Sequence, residues 1–388
     1  MNNINDFEEK YCCGCGLCNN FKEGICDNKG FFRPNKNITV EEFDKKYCYC
    51  NLITKTDKSS LWGEIKETYY GYSTNDLIRN KASSGGILTA IASFLLRKKI
   101  VDCIIQIKVN DNNPLTTKVV WNTNENDVIK CCGSRYTASA SLIDILNKID
   151  LSKKYAVIGK PCDIRVLREY INQNKELDNI IYLLTFFCAG TPSKQANKEL
   201  VRKMNIDEKE LKEFSYRGNG WPGKTTGITN EGIISTTDYE ESWGKILGRD
   251  IQKICRFCWE GVGEAADISC GDGWYLKDNK PDFEEQEGRN IIFARTIKGN
   301  ELLKEMFEFG EIKLEKLNSI EEIKYMQPGQ YMRKSSMFAS ILAMRIMGKD
   351  APKYKLYELS KYSKNISLKD NLKIFVGTIK RILNGKIT

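Results

Sequence analysis

Cysteine is the residue type with the clearest chemistry in this sequence, and its first cluster lies near the N-terminus. The chain has 388 residues, with 15 cysteines and no histidine. Three cysteines follow the spacing Cys12-x2-Cys15-x2-Cys18, with Gly14 and Gly16 allowing a tight turn. Thiolates at this spacing suit successive irons of a 4Fe-4S cluster. Zinc stays an alternative, although zinc sites usually combine two separated Cys-x2-Cys pairs.

The fourth ligand of this cluster must come from elsewhere in the chain. Fourth cysteines in ferredoxin-like modules lie distant in sequence. Cys50 is the preferred candidate, and Cys48 and Cys26 are alternatives. Cys13 has the wrong spacing and is expected to be a bystander.

A second cysteine set is spread along the chain. Cys255-x2-Cys258 is one part, while Cys162 and Cys188 each follow a predicted strand. Parallel strands open on one sheet edge, so these four sulfurs are expected to meet there and bind a second cluster. Either strand-end cysteine alone could instead be a small buried hydrophobe, and Cys270 could replace one of the four. The remaining cysteines are expected to be packing residues: Cys103, Cys131 and Cys132.

Three short segments with small or hydroxylic residues precede predicted helices: SSGG at 83–86, GSRY at 133–136 and GTPS at 190–193. Helix N-termini favour phosphate, although each segment could simply cap its helix. Arg217 is a candidate for an anionic cofactor, against a surface role. No GxGxxG follows a strand and no P-loop occurs. Together the segments make a bound cofactor diphosphate plausible.

No hydrolytic constellation appears, and the absence of histidine excludes the Ser–His, Cys–His and HExxH arrangements. Asp267 and Asp272, beside the second cysteine set, could be general acids but are more typical of structural turn residues.

The elements that would position these residues alternate between strand and helix. This pattern indicates an α/β protein (α+β overall) with a mainly parallel sheet flanked by helices. The predicted strands are 101–109, 155–159 and 180–187, and the predicted helices are 87–98, 138–149, 164–174 and 193–204. A hairpin over 225–237 and a strand–helix unit over 290–308 follow.

Four segments are expected: a ferredoxin-like module at 1–60, an α/β region at 61–205, a part with the second cysteine set at 206–330 and a helical basic tail at 331–388. No leader peptide or membrane span is predicted, and reduced thiols indicate the cytoplasm. The net charge is +9; Lys and Arg are interleaved with Glu and Asp along the chain, and only the C-terminal stretch is clearly basic. We therefore expect a solvated basic surface, or a site for an acidic partner or a phosphorylated cofactor, and no nucleic-acid binding.

Ordered sequence blocks resemble the coenzyme F420 hydrogenase/dehydrogenase beta-subunit family. The blocks are SSGGILTAIASFLL, GSRY, GKPCDI, CAGTPS, YRGNGWPG, CRFCWEGVGEAADISCGDGW and RNIIFARTIKG. The resemblance implies FAD and one or two 4Fe-4S clusters. It implies an inner cluster held by Cys162, Cys188, Cys255 and Cys258, and an outer relay on the N-terminal cysteines. The expected cofactor-binding residues are Ser83, Ser84, Gly85, Gly86, Gly133, Ser134, Arg135, Tyr136, Arg217 and Asp272.

The implied activity is electron transfer between a deazaflavin hydride carrier of the F420 type and a one-electron chain, with ferredoxin or a partner subunit. Two departures matter: only Cys48 and Cys50 remain of a second ferredoxin motif, and Ala189 stands where relatives often have histidine. One N-terminal cluster is therefore expected, and no proton donor is identified. Two alternatives remain: a ferredoxin-dependent reductase of a small or lipid-linked metabolite, and a zinc-stabilised adaptor.

Overall fold

An eight-stranded sheet organises the protein, which is described here from a computed structural model covering residues 11–19, 25–33, 61–174, 177–385 and 387. Its strand order is β15-β3-β14-β11-β7-β6-β4-β5. The block from β11 to β4 is parallel, and the strands on both sides of it pair antiparallel. The described strands are β1 Ile25–Cys26, β2 Phe32–Arg33, β3 Glu67–Ser73, β4 Cys103–Asn110, β5 Asn113–Asn122, β6 Tyr155–Gly159, β7 Ile180–Phe186, β8 Leu211–Ser215, β9 Thr225–Thr229, β10 Ile234–Thr237, β11 Ile268–Asp272, β12 Leu276–Lys277, β13 Lys280–Pro281, β14 Asn290–Ala294 and β15 Ile312–Lys316.

Helices cover both faces of this sheet, which confirms the predicted α/β class. The described α-helices are α1 Asp76–Lys81, α2 Ile87–Arg97, α3 Glu125–Lys130, α4 Ile145–Lys148, α5 Pro161–Gln173, α6 Lys194–Lys203, α7 Ile297–Glu308, α8 Ile323–Met326, α9 Pro328–Ile346, α10 Leu356–Ser363 and α11 Leu368–Leu383. Among them, none is long and apolar enough to cross a bilayer.

The two faces of the sheet receive alternate residues of each strand. Ile105 and Val157 point into one core, together with apolar side chains of α5 and α9. Their neighbours Ile104 and Ala156 point into the other core, beneath α2 and α7. The two-residue period of a strand therefore explains why the central strands read as continuous apolar runs.

Most predicted elements are confirmed, including the hairpin of β9 and β10 and the unit of β14 and α7. The helix predicted over 138–149 is wrong: only Ile145–Lys148 is helical. Asp144 adopts a left-handed φ of 59°, which breaks helical continuity. Leu142 and Ile145 still fill the core, so the apolar spacing is met without a helix. The segment 133–136 consequently lies in a loop and precedes no helix.

The N-terminal and C-terminal segments both pack onto this frame. β1 and β2 form a short antiparallel ribbon, with Arg33 paired to Asp27 at 2.9 Å. The preferred fourth ligand Cys50 and the alternative Cys48 lie outside the described residues. In α9, the Lys334 ammonium is buried against the Glu264 carboxylate and donates to the Leu61 carbonyl at 2.9 Å. The large sheet contains strands from two of the predicted segments, residues 61–205 and residues 206–330.

Candidate functional site

Three parallel strands end at one edge of the sheet, and chemically active residues follow each of them. Lys160 and Cys162 follow β6, Cys188 comes just after β7, and Asp272 is the last residue of β11. Such an edge forms a crevice at the carboxyl ends of the strands, which is where α/β proteins bind ligands.

A cavity of about 280 Å³, the large cavity, opens at this edge. Nine of the ten predicted cofactor-binding residues line it. These nine are Ser83, Ser84, Gly86, Gly133, Ser134, Arg135, Tyr136, Arg217 and Asp272. Segments up to 189 residues apart, from Ser83 to Asp272, therefore meet around one space, which supports treating them as one site.

The loop before α2 is tied down by polar contacts. The Ser83 hydroxyl accepts from the Ser134 amide at 2.7 Å, which joins the first two predicted segments directly. The Ser84 hydroxyl donates to the Arg289 carbonyl at 2.7 Å. Gly85, the tenth predicted residue, lies behind the wall: a Cβ there would be 2.6 Å from the Gly71 carbonyl oxygen. Gly86 follows at φ 79° and starts α2, where the Ile87 amide donates to the Asn290 side-chain oxygen at 3.2 Å and the next residues of the first turn, Leu88 and Thr89, line the cavity.

Two donors lining the large cavity are buried without a hydrogen-bond partner. They are Nε of Arg135 and Nε2 of Gln106. The other side of the Arg135 guanidinium donates to the Ser134 carbonyl at 2.9 Å. Burial lowers the pKa of Arg135, because it removes water from the charged guanidinium. Unsatisfied buried donors are costly, so the cavity fits a ligand rich in acceptors.

Arg217 is buried against Asp272 and does not lie on the surface. Its guanidinium makes a two-pronged pair with the carboxylate, at 2.9 and 3.1 Å. Its Nε donates to the Pro222 carbonyl at 2.8 Å, and the Trp221 indole adds a contact of 3.1 Å to Asp272. All three guanidinium nitrogens are thus engaged with protein, so Arg217 and Asp272 shape the wall. Asp267 is also buried and accepts from the Leu183 amide at 2.8 Å, as expected of a structural residue.

Aromatic rings form another wall of the large cavity. Tyr136 and Trp243 have centroids 4.8 Å apart, and Tyr239 lies 5.8 Å from Trp274. Burial raises the pKa of Tyr239, so its hydroxyl stays protonated at neutral pH. Flat rings beside polar loops suit a planar heterocycle with a charged tail.

A second, smaller pocket, the cysteine pocket, brings together the four predicted inner ligands. It is lined by Cys162, Cys188, Cys255 and Cys258, and also by Cys13. Burial and the neighbouring thiols raise the pKa of Cys188 and of Cys255, so a bound cation is needed to hold them as thiolates. The Thr191 amide donates to the Cys255 sulfur at 3.4 Å. Sulfur donors of this kind, with an amide contact, fit an iron–sulfur cluster and also fit zinc.

The two cavities share a wall. Cys188, Gly190 and Thr191 line both of them. The Cys188 carbonyl accepts from Gln330 at 2.9 Å and from Arg333 at 3.2 Å. Both donors belong to α9, which begins just before the tail, and Arg333 lies in the tail, for which the sequence indicated no role. Nothing in the tail sequence pointed to contacts about 140 residues away.

The N-terminal cysteines reach the same sheet edge. Burial raises the pKa of the Cys18 thiol, and repulsion from Cys15 and then Cys12 raises it further. Cys13, expected to be a bystander, has its sulfur within 4.8 Å of the Cys162 sulfur. The alternative ligand Cys26 is exposed on β1.

The other cysteines lie elsewhere. Cys270 lies on β11 and borders the large cavity, away from the cysteine pocket. Cys103 is a core residue, as predicted. Cys131 and Cys132 line the large cavity, a position that the sequence did not indicate.

A buried ion pair missed at the sequence level lies next to Cys162. The Lys160 ammonium donates to Asp163 at 2.8 Å and to the Ser139 carbonyl at 2.7 Å. The Ser141 hydroxyl donates to the same carboxylate at 2.6 Å. The sequence did offer a sign of Lys160, because a charged residue directly after a buried strand is a candidate for the site. Gln106 could have been noticed as an amide side chain within the apolar part of strand β4.

Comparisons with known proteins identify one family. The model described as coenzyme F420 hydrogenase/dehydrogenase, beta subunit N-term matches residues 68–147, and the C-terminus model matches 152–320. A solved structure of the F420-reducing [NiFe] hydrogenase complex from Methanosarcina barkeri has a similar chain, with TM-score 0.52 and 22% identity. That likeness covers 72% of this chain and 94% of the other, and it shows the fold.

Curated relatives carry related names. The F420-dependent formate dehydrogenase subunit beta of Methanocaldococcus jannaschii is 26% identical over 62% of this chain and 59% of its own. The coenzyme F420 hydrogenase subunit beta of Methanococcus voltae is 24% identical, over 75% of this chain and 99% of its own. The coenzyme F420-dependent sulfite reductase of M. jannaschii is 25% identical over 81% of this chain and 48% of its own. The alignments thus span about three fifths of the formate dehydrogenase subunit and about half of the sulfite reductase.

Proposed function

Because this chain belongs to the coenzyme F420 hydrogenase/dehydrogenase beta-subunit family of oxidoreductases, we propose that it transfers electrons between a deazaflavin hydride carrier and iron–sulfur clusters through FAD. The two family models underlie the premise, since between them they match residues 68–147 and 152–320. We also propose that a ferredoxin or a partner subunit exchanges the single electrons with this protein. The proposed location is the cytoplasm, where the thiols stay reduced.

The shared wall is the observation that carries this proposal. A site for two-electron chemistry and a site for one-electron chemistry have to be adjacent for electrons to pass between them. Cys188, Gly190 and Thr191 border both the large cavity and the cysteine pocket. One short segment after β7 would therefore connect a flavin to a cluster.

The large cavity would hold FAD. Bound flavin supplies an acceptor that takes two electrons as hydride and releases them singly. Arg135 and Gln106 offer the unsatisfied buried donors, and Ser83 with Ser134 fixes the loop before α2 beside them. The Lys160 ammonium lines the same cavity, but its donors are engaged by Ser139 and Asp163, so this pair would shape the wall. Together these groups would bind a diphosphate and orient the ring against the aromatic wall.

Cys162, Cys188, Cys255 and Cys258 would hold the inner 4Fe-4S cluster. Arg333 also lines their pocket and lowers the electrostatic cost of gathered thiolates. Cys12, Cys15 and Cys18 would hold an outer cluster with Cys50, Cys48 or Cys26. Contact between Cys13 and Cys162 brings the N-terminal loop to the inner set.

Anaerobic purification followed by metal, sulfide and flavin analysis tests the proposal. We expect a brown protein with roughly eight irons per chain, from two cubane clusters, and about one flavin. The Cys258→Ser variant should lose about four of these irons and keep the flavin, and Cys103→Ala should keep both. A colourless chain that binds zinc would refute the proposal in favour of the adaptor alternative.

A reductase is the second candidate function. The sulfite reductase relative aligns over 81% of this chain, the largest share among the relatives described above. In that case the electrons would leave toward a small or lipid-linked metabolite, with ferredoxin as the source. Bleaching of the flavin by reduced F420, but not by reduced ferredoxin or NADH, favours the first function. Bleaching by reduced ferredoxin, but not by reduced F420, favours the reductase.

A further inference from the structure

The C-terminal helix α11 presents an apolar stripe to solvent. Leu368, Leu372, Val376 and Leu383 are 86%, 61%, 41% and 70% exposed. At the pitch of an α-helix these four side chains fall within an arc of about 80°, along a helix roughly 24 Å long. The opposite side of α11 packs on α9, and Thr378 and Ile382 point inward. A folded helix therefore exposes large aliphatic side chains in a row, which soluble surfaces usually avoid.

Basic side chains accompany this stripe. Lys369, Lys373 and Lys380 are exposed and lie along one edge of it. The charge of the whole chain is concentrated here: residues 331–388 contain 13 Lys and Arg against 3 Asp and Glu. That segment has a net charge of +10, whereas residues 1–330 have a net charge of −1. The net charge of +9 thus belongs to the tail.

We propose that α11 docks this protein flat onto an anionic lipid bilayer, with its apolar stripe inserted below the headgroups and its lysines on the lipid phosphates. An exposed helix with an aliphatic row and lysines along one edge of that row has the composition of an interfacial helix. The lysine stems can extend along the apolar stripe while the ammonium groups stay at the headgroups. This docking goes beyond electron transfer and requires neither cofactor.

A second copy of this chain is a poorer occupant of the stripe. Pairing two α11 helices face to face would bring the lysines of both copies together, next to tails that each have a net charge of +10. An anionic bilayer instead offers opposite charge and an apolar layer together. Docking through α11 would attract the tail to the membrane and leave the nearly neutral remainder of the chain in solution.

Vesicle flotation of the full-length, cofactor-loaded protein tests the proposal. We expect binding to phosphatidylcholine vesicles containing about 30% phosphatidylglycerol, and none to phosphatidylcholine alone. Binding should be lost at roughly 0.5 M salt, because the Debye length is then below about 5 Å.

Paired variants identify the surface. Leu372→Ser with Val376→Ser should weaken vesicle binding at least tenfold, since these side chains supply inserted area. The control, Ile233→Ser with Ile234→Ser, removes side chains that are 59% and 65% exposed on the β9–β10 hairpin and should bind as wild type. All four substituted residues are exposed to solvent, so thermal melting should be unchanged.

Charge variants complete the test. Replacing Lys369, Lys373 and Lys380 with Gln should weaken binding roughly a hundredfold, at about fivefold per lysine. The same change at the exposed lysines Lys224, Lys277 and Lys316 removes equal charge elsewhere and should have a much smaller effect. The proposal would be overturned if the protein did not float with anionic vesicles at low salt, or if the Leu372→Ser, Val376→Ser variant bound vesicles as tightly as wild type. It would also be overturned if α11 captured an acidic protein and the chain bound no lipid.

Discussion

Two arginines of the large cavity differ in how their charge is satisfied, and this difference assigns them different roles. Arg217 makes two contacts to the Asp272 carboxylate and a third to a backbone carbonyl. Arg135 has a buried Nε without a partner. A paired arginine stabilises the fold, whereas an unpaired one facing a cavity favours ligand binding at the expense of stability.

Replacing Arg217 should therefore destabilise the protein. Arg217→Met leaves the Asp272 carboxylate largely buried without its cation, and we expect a loss of about 2–3 kcal/mol in the free energy of unfolding. Adding Asp272→Asn should restore at least half of that loss, because the orphaned charge is removed. Lys277→Met breaks an exposed pair with Glu284 and should cost less than about 0.5 kcal/mol. Denaturant unfolding under anaerobic conditions measures all three, and equal effects at Arg217 and Lys277 would contradict this assignment.

Replacing Arg135 should weaken flavin binding and leave the stability of the fold intact. Arg135→Met removes a buried unsatisfied donor, so the stability of the flavin-free protein should be unchanged or slightly higher. Flavin binding should weaken about 10- to 100-fold, since a hydrogen bond to a charged group contributes roughly 1.5–3 kcal/mol. Fluorescence titration with FAD measures the affinity. Arg97→Met, on the outer side of α2, is the control, and an unchanged FAD affinity in Arg135→Met would remove this residue from the site.

At the scale of elements, the sequence predicted the parts in which local pattern and tertiary packing agree. β6 and β7 are continuous apolar runs and α2 has helical periodicity, and all three appear within a residue or two of their predicted bounds. The segment 138–149 has helical spacing but is mostly irregular, because its Ser139 carbonyl and Ser141 hydroxyl bind the Lys160–Asp163 pair. Long-range polar contacts of this kind do not change the spacing of apolar residues in the sequence, so sequence periodicity cannot predict them.

The turn before α2 provides a test at this scale. A Cβ at Gly85 would be 2.6 Å from the Gly71 carbonyl oxygen and 2.8 Å from the Asn290 amide nitrogen, both of them backbone atoms. Gly85→Ala should thus displace the loop, cost about 1–3 kcal/mol and reduce the flavin content of the purified protein. Gly377→Ala in α11 meets open space and should stabilise the helix by up to about 1 kcal/mol. Wild-type melting and flavin content in Gly85→Ala would show that the turn tolerates movement.

For the whole molecule, the site depends on segments from both ends of the chain. The N-terminal loop brings Cys13 to Cys162, and α9 brings Gln330 and Arg333 to the Cys188 carbonyl. Sequence spacing predicted the four cysteines of the cysteine pocket and nine residues of the large-cavity wall, because these cysteines follow strand ends or form a Cys-x2-Cys pair and the nine lie in glycine-containing segments. It could not identify the residues from the termini, since their positions depend on how distant segments pack.

Cys188 is the residue at which coupling between the two cavities can be measured. Its segment borders both cavities, and its carbonyl is fixed by α9. Cys188→Ser should remove about four irons and also lower flavin affinity, because the wall relaxes when its cluster bond is lost. Cys258 lines the cysteine pocket and not the large cavity. Cys258→Ser should therefore lower the iron content and leave the flavin content unchanged. Iron and flavin analysis of both variants, purified side by side, measures the difference. Identical flavin content in the two would mean that the cavities are adjacent but energetically independent.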